Sequence, residues 1–143
     1  MRDQLLAKIQ AQYEEDSDVP PVVGLDEYFA GNTEEECIAP NQVGYGRPPL
    51  AEIYSRFRQI QQRPDVQEVL VGIHGDWVEA IDDPDMWPAA ENVHIYTTAS
   101  SDEVEEWIAG LEADGAIEGW PYGKHPSAPP LKPGFKVFTV CWD

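Results

Sequence analysis

The fold turns on "VQEVLVGIHGDWVEAIDDPDMWPAAENVHIYTT", Val66–Thr98. Val69, Val71 and Ile73 alternate with Glu68, Leu70, Gly72 and His74. Val93, Ile95 and Thr97 alternate with Asn92, His94, Tyr96 and Thr98. Side chains two apart share one face of a strand. If the two segments pair antiparallel, Val69, Val71, Ile73, Val93, Ile95 and Thr97 share a face that meets helices. The opposite face is then expected to be open and polar, with His74, Asn92, His94, Tyr96 and Thr98, and Asp76 at its end. The connection holds Asp76, Glu79, Asp82, Asp83, Asp85 and Glu91, with Trp77 and Trp87 among them.

Helical signals surround this hairpin. Leu50, Ile53, Tyr54, Phe57 and Ile60 make one apolar stripe, bounded by Pro48-Pro49 and Pro64. Leu5, Leu6, Ile9 and Tyr13 predict a helix over residues 2–13. Leu25, Tyr28 and Phe29 predict a short turn of helix that ends at Gly31-Asn32. "SSDE" predicts an N-cap at Ser100 and a capping box with Glu103, opening a helix that buries Val104, Trp107, Ile108 and Leu111. "PPVVG" is an edge-strand candidate, Ala116–Gly119 a weak strand and Phe135–Trp142 a central one, being apolar on both faces. The expected architecture is a single α+β domain over residues 1–143. It is a two-layer sandwich, with a mostly antiparallel sheet of about four strands covered on one face by two helices. A ferredoxin-like arrangement is one option.

Charge narrows the function. Asp and Glu number 27 against 9 Lys and Arg, a formal net charge of −18. From Pro64 to Gly123 there are fifteen acids and no Lys or Arg. Direct nucleic-acid binding needs positive charge to displace counterions, so it is excluded as an expectation, as are anionic membrane surfaces. A basic protein partner fits, because such a field steers cations toward it. No apolar stretch approaches a membrane span, and the first residues lack the apolar core of a leader, so a soluble cytoplasmic protein is expected. Cys37 and Cys141 lack CxxC spacing, and a reducing compartment argues against a bridge between them.

Motifs for chemistry are sparse. "DDPD" lacks the EF-hand spacing and its glycine, and Asp83-Pro84-Asp85 reads as a turn. No GxSxG or phosphate-loop motif occurs, and no cofactor or metal is expected. His125 sits in the proline-rich loop "WPYGKHPSAPPLKPG" and is expected to be exposed. The remaining candidate for catalysis or metal binding is His74, His94, Tyr96 and Asp76 on the open sheet face.

"LDEYFAGNTEEECIAPN", "RPDVQEVLV", "EVEEWIAGL" and the terminal "VCWD" resemble a family of small, acidic, uncharacterised bacterial proteins. The likeness covers most of the chain from Leu25 onward. It implies no established activity and transfers no functional residue.

The expected function is that of an acidic, non-enzymatic protein-binding or inhibitor module. Its most concrete form is an immunity-type protein that neutralises a basic bacterial toxin or nucleic-acid enzyme. The expected contact residues are Asp76, Trp77, Glu79, Asp82, Asp83, Asp85 and Trp87, apolar anchors within a charged rim. One alternative is a small metal-binding or hydrolytic enzyme built on the His/Asp/Tyr cluster. Another is a housekeeping interaction domain.

Overall fold

The computed structural model describes residues 1–142; Asp143, the last residue of the "VCWD" motif, lies outside them. Its sheet contains β1 (Val22–Gly24), β2 (Val66–Ile73), β3 (Ala90–Thr97), β4 (Gly115–Glu118) and β5 (Lys136–Cys141), in the order β1-β2-β3-β5-β4. Every neighbouring pair is antiparallel. The central hairpin forms as its alternation requires: Val69 faces Ile95 and Val71 faces Val93. The chain is thus α+β with an antiparallel sheet, of five strands instead of about four. "PPVVG" and the weak strand supply the two edges.

Four helices, not two, bury their apolar sides against one face. They are α1 (Arg2–Glu15), α2 (Leu25–Phe29), α3 (Leu50–Gln61) and a later helix, Ser101–Trp107. In α3, Leu50, Ile53, Phe57 and Ile60 are buried at helical spacing, against Val69, Val71 and Ile95 in the same core. The Ser101–Trp107 helix opens on the expected Ser100–Glu103 capping box. It stops earlier than its apolar spacing suggests: Gly110 and Glu112 adopt positive φ, and Leu111 is buried from a turn. Trp107 is half-buried, with the Arg63 guanidinium 4.2 Å above its ring.

A ferredoxin-like arrangement needs two split β-α-β units. Only the second half has one: β3, the Ser101–Trp107 helix and β4, with β5 inserted between the strands. In the first half β1 lies directly beside β2. The ferredoxin-like option is therefore corrected.

The second correction concerns the other face of the sheet, which is covered. The proline-rich segment after β4 folds back across it. Val22, Leu70, Tyr96 and Val137 form a second apolar cluster there with Ala128, and Trp120 packs against it. His125 is buried, not exposed. Its Nε2–H donates to the Gln12 carbonyl of α1 at 2.8 Å, and its Nδ1 accepts from Ser127 N–H at 2.9 Å.

Gln12 also seals the outer edge of β1. Its amide nitrogen donates to Val22 O at 2.8 Å and its amide oxygen accepts from Val22 N–H at 2.7 Å. A side chain thus completes a strand edge that would otherwise present free donors and acceptors. Gln12→Leu keeps the bulk but orphans both buried groups of Val22. It should destabilise the chain by about 2 kcal/mol, read from urea unfolding; an unchanged midpoint would disprove this role.

Candidate functional site

The acidic connection between β2 and β3 is a built lobe. Gly75–Val78 forms a turn of 3-10 helix, capped by His74 Nδ1 accepting from Asp76 N–H at 2.9 Å, and Glu79–Asp82 forms a turn of α-helix that we label α4. The turn expected at Asp83-Pro84-Asp85 is present, with the Asp83 carboxylate accepting from Asp85 N–H at 3.0 Å. The helix Ser101–Trp107 is then α5.

Arg2 fastens this lobe to the body. Its guanidinium donates to the carbonyls of Met86 at 2.7 Å and Asp83 at 2.8 Å, and to that of Ala80. Arg47 does the same for the long 31–49 loop. Its side chain is almost fully buried and binds the Ile38 carbonyl at 2.8 Å, the Glu35 carbonyl and the Glu35 carboxylate. Arg56 holds the carbonyls of Trp107 and Ala109 at 2.9 and 2.7 Å. Three of the few cations are thus bound to backbone oxygens. Among the described residues, Glu34, Glu36, Glu79, Asp82, Asp83 and Asp85 form no ion pair.

Three of these, Glu34, Glu36 and Glu79, line a cleft of about 410 Å³ together with Asp76, Glu91 and Trp87 among others; Asp82, Asp83 and Asp85 lie outside its lining. A second cleft of about 400 Å³ has aromatic and proline walls: Tyr13, Trp77, Tyr122, Pro20 and Pro21. His74 and Glu91 line both. The His74 ring stands 3.7 Å from the Asp76 carboxylate and 3.7 Å from that of Glu91.

The tryptophans of the lobe face inward. Trp77 is 3% exposed and meets Tyr13 edge-on with ring centroids 5.7 Å apart. Trp87 is half-buried, its indole N–H donating to Tyr28 O at 3.0 Å. The apolar side chains that point outward from the lobe are Val78 and Ile81, three residues apart on the same short turns and about half exposed. That spacing was readable in the sequence. The tie that holds these turns to the body, from Arg2 to the Ala80 carbonyl 78 residues away, has no local signal.

The four residues of the catalytic alternative do not converge. His74 and Asp76 sit at the rim of the clefts. His94 lies beneath Trp120, ring centroids 4.3 Å apart, with Nδ1 2.8 Å from the Thr139 hydroxyl. Tyr96 is fully buried and donates to Pro129 O at 2.8 Å; burial and the nearby Glu68 carboxylate push its phenol up to about 12. Among the described residues no three His, Cys, Asp or Glu side chains are grouped to hold a metal ion. Cys37 and Cys141 are free, and burial pushes both thiols up, away from the thiolate form a nucleophile needs.

The chain matches the family model of the uncharacterized protein YfbO family over residues 1–140. It belongs to the YfbO family. A relative within that family, the uncharacterized protein YfbO of Escherichia coli (strain K12), is 32% identical over 124 residues, which cover 86% of this chain and 83% of that protein. No solved structure matches the chain. The resemblance to small bacterial proteins without established activity is thereby borne out, and the YfbO match extends it to the N-terminal helix. Among the described residues no helix is long and apolar enough to cross a membrane.

Proposed function

We propose that this YfbO-family chain is a non-enzymatic module that captures a basic protein. Its most concrete form is an immunity-type inhibitor that covers the cationic cleft of a bacterial toxin or nucleic-acid enzyme in the cytoplasm. One observation carries the reading: Arg2, the cation bound to the acidic lobe, gives its guanidinium to three carbonyl oxygens there, so among the described residues Glu79, Asp82, Asp83 and Asp85 stay without an ion pair, beside a cleft that Glu34, Glu36 and Glu79 line. Structural acids are commonly paired or dispersed. These are neither, and such a surface attracts and orients a cation-rich partner. Val78 and Ile81 supply exposed apolar contact inside the charged rim, a role that the sequence suggested for Trp77 and Trp87.

The chain, immobilised at low salt with lysate from its source, should retain a basic protein. Retention should fall at least about tenfold when Asp82, Asp83 and Asp85 are all changed to Lys, and should weaken steeply with added salt. No retained basic protein, or retention unaffected by the triple reversal, would overturn the reading.

A further inference from the structure

Where the second sheet face meets the aromatic cleft, a small niche opens beside Asn92 and His94, whose side chains lie over Gly72. It measures about 10 Å³ and is lined by Asn92, His94, Trp120, Tyr122, Glu91 and the Pro20–Pro21 pair among others. Pro20, Pro21, Glu91 and Tyr122 also line the larger cleft, so the niche is that cleft's inner end. Gly72 lies within β2, and its φ is outside the left-handed region, so its backbone does not demand glycine. Space does: a Cβ there would stand 2.1 Å from Asn92 Oδ1 and 2.9 Å from His94 Nε2. A glycine inside a strand often marks close approach by something else.

Two buried polar groups face that space. Asn92 is 3% exposed and His94 5%. The Thr139 hydroxyl donates its single proton to Gly119 O at 2.7 Å, so its oxygen accepts from His94 Nδ1–H. His94 is thereby held as the tautomer whose Nε2 carries a lone pair, and among the described residues Nε2 and the Asn92 amide have no hydrogen-bond partner.

We propose that this niche receives a primary ammonium group, whose alkyl stem lies in the cleft between Pro20–Pro21 and Tyr122. The acceptors are His94 Nε2, Asn92 Oδ1 and the Glu91 carboxylate, which supplies the counter-charge. A –NH₃⁺ head has three donors and no acceptor, and it is the size of the water for which the niche has room. A guanidinium is a broad planar fork that overfills the niche. An anion would find the Asn92 amide N–H as a donor, but also the His94 lone pair and the Glu91 carboxylate, which repel it. An alcohol brings one donor for three acceptors. Burial keeps the His94 ring neutral, with its ordinary value of 6.5 lowered to about 3, so Nε2 remains an acceptor at neutral pH. The ammonium chemistry stands on the niche alone. That the amine belongs to a lysine of a basic partner rests on the partner reading above.

The test is a titration of the ¹⁵N-labelled chain at neutral pH, following the imidazole nitrogen resonances of His94. The probes are n-butylamine, n-butanol and an acetylated, amidated Ala-Lys-Ala peptide. The two amines should give a saturable shift of Nε2, and butanol none. Gly72→Ala should weaken butylamine binding at least about tenfold by displacing Asn92 Oδ1 and His94 Nε2, the acceptors that lie over Gly72. If that variant does not fold, Asn92→Ala, which removes one acceptor and adds no bulk, should weaken binding instead. A shift from butylamine but not from the peptide keeps the site and assigns it to a free alkylamine, overturning the lysine source. No shift from either amine, or binding undiminished by niche substitutions, overturns the proposal. The reversals at Asp82, Asp83 and Asp85 leave the niche untouched, so loss of the partner without loss of butylamine binding separates the two readings.

Discussion

Lowering the pH from about 7 to about 5 should destabilise the native chain by about 2 kcal/mol through His94 alone. In the unfolded chain its imidazole takes up a proton as pH falls through its ordinary 6.5. In the native chain burial beneath Trp120 delays that uptake to about 3. Between those values the unfolded state binds the extra proton, so stability is full above about 6.5 and declines as pH falls. The slope approaches about 1.4 kcal/mol per pH unit. Many carboxylates titrate nearby in pH, so the wild type must be compared with His94→Gln, which can still donate to the Thr139 hydroxyl and does not titrate. The stability gap between the two, from urea unfolding at each pH, should move by about 2 kcal/mol in favour of the variant. Parallel curves for the two proteins would show that the ring is not held neutral by burial.

Replacing Arg2 with Met should release the acidic lobe. Three carbonyls, of Ala80, Asp83 and Met86, lose their shared donor, and no other cation lies between Pro64 and Gly123 to replace it. The loss should be about 2–3 kcal/mol, concentrated locally, because the lobe has few other polar ties to the body. Cleavage after acidic residues between Glu79 and Asp85 by a Glu/Asp-specific protease should accelerate at least about tenfold while the far-UV spectrum is kept. Arg2→Lys should rescue only in part, since a single ammonium cannot match the fork that spans three carbonyls. Wild-type cleavage rates in Arg2→Met would remove Arg2 from this role.

The hairpin was legible because both of its strands obey a period of two, which fixes the side chains that share a face; the register that places Val71 opposite Val93, with its two irregularities, is set by the folded pairing. The helix of residues 50–61 was equally plain, bounded by prolines and striped at 3.6. The cover over the second sheet face was not. Residues 120–134 carry no periodicity, and nothing local says that a proline-rich segment folds back over a sheet. A clue did exist: Val22, Leu70, Tyr96 and Val137 are too apolar for a wet face, yet they alternate onto it. Of the candidate site, the acidic composition was visible and its geometry was not. Arg2, Arg47 and the cleft carboxylates Glu34 and Glu36 reach the site through contacts distant in sequence, which composition cannot register.

Covering both faces of the sheet also dictates where charge can live. The five strands hold only Glu68, Glu91 and Glu118 of the 27 acids. A sheet with one wet face would have carried a row of carboxylates spread evenly along its strands. Here that area is dry, and the negative charge is displaced onto helix exteriors and connecting segments. The same net charge therefore occupies less of the molecule's area. Acids of the β2–β3 connection and of the 31–49 loop meet as a result around one cleft, Asp76 and Glu79 with Glu34 and Glu36. The fold itself, by denying carboxylates a place on the sheet, concentrates them.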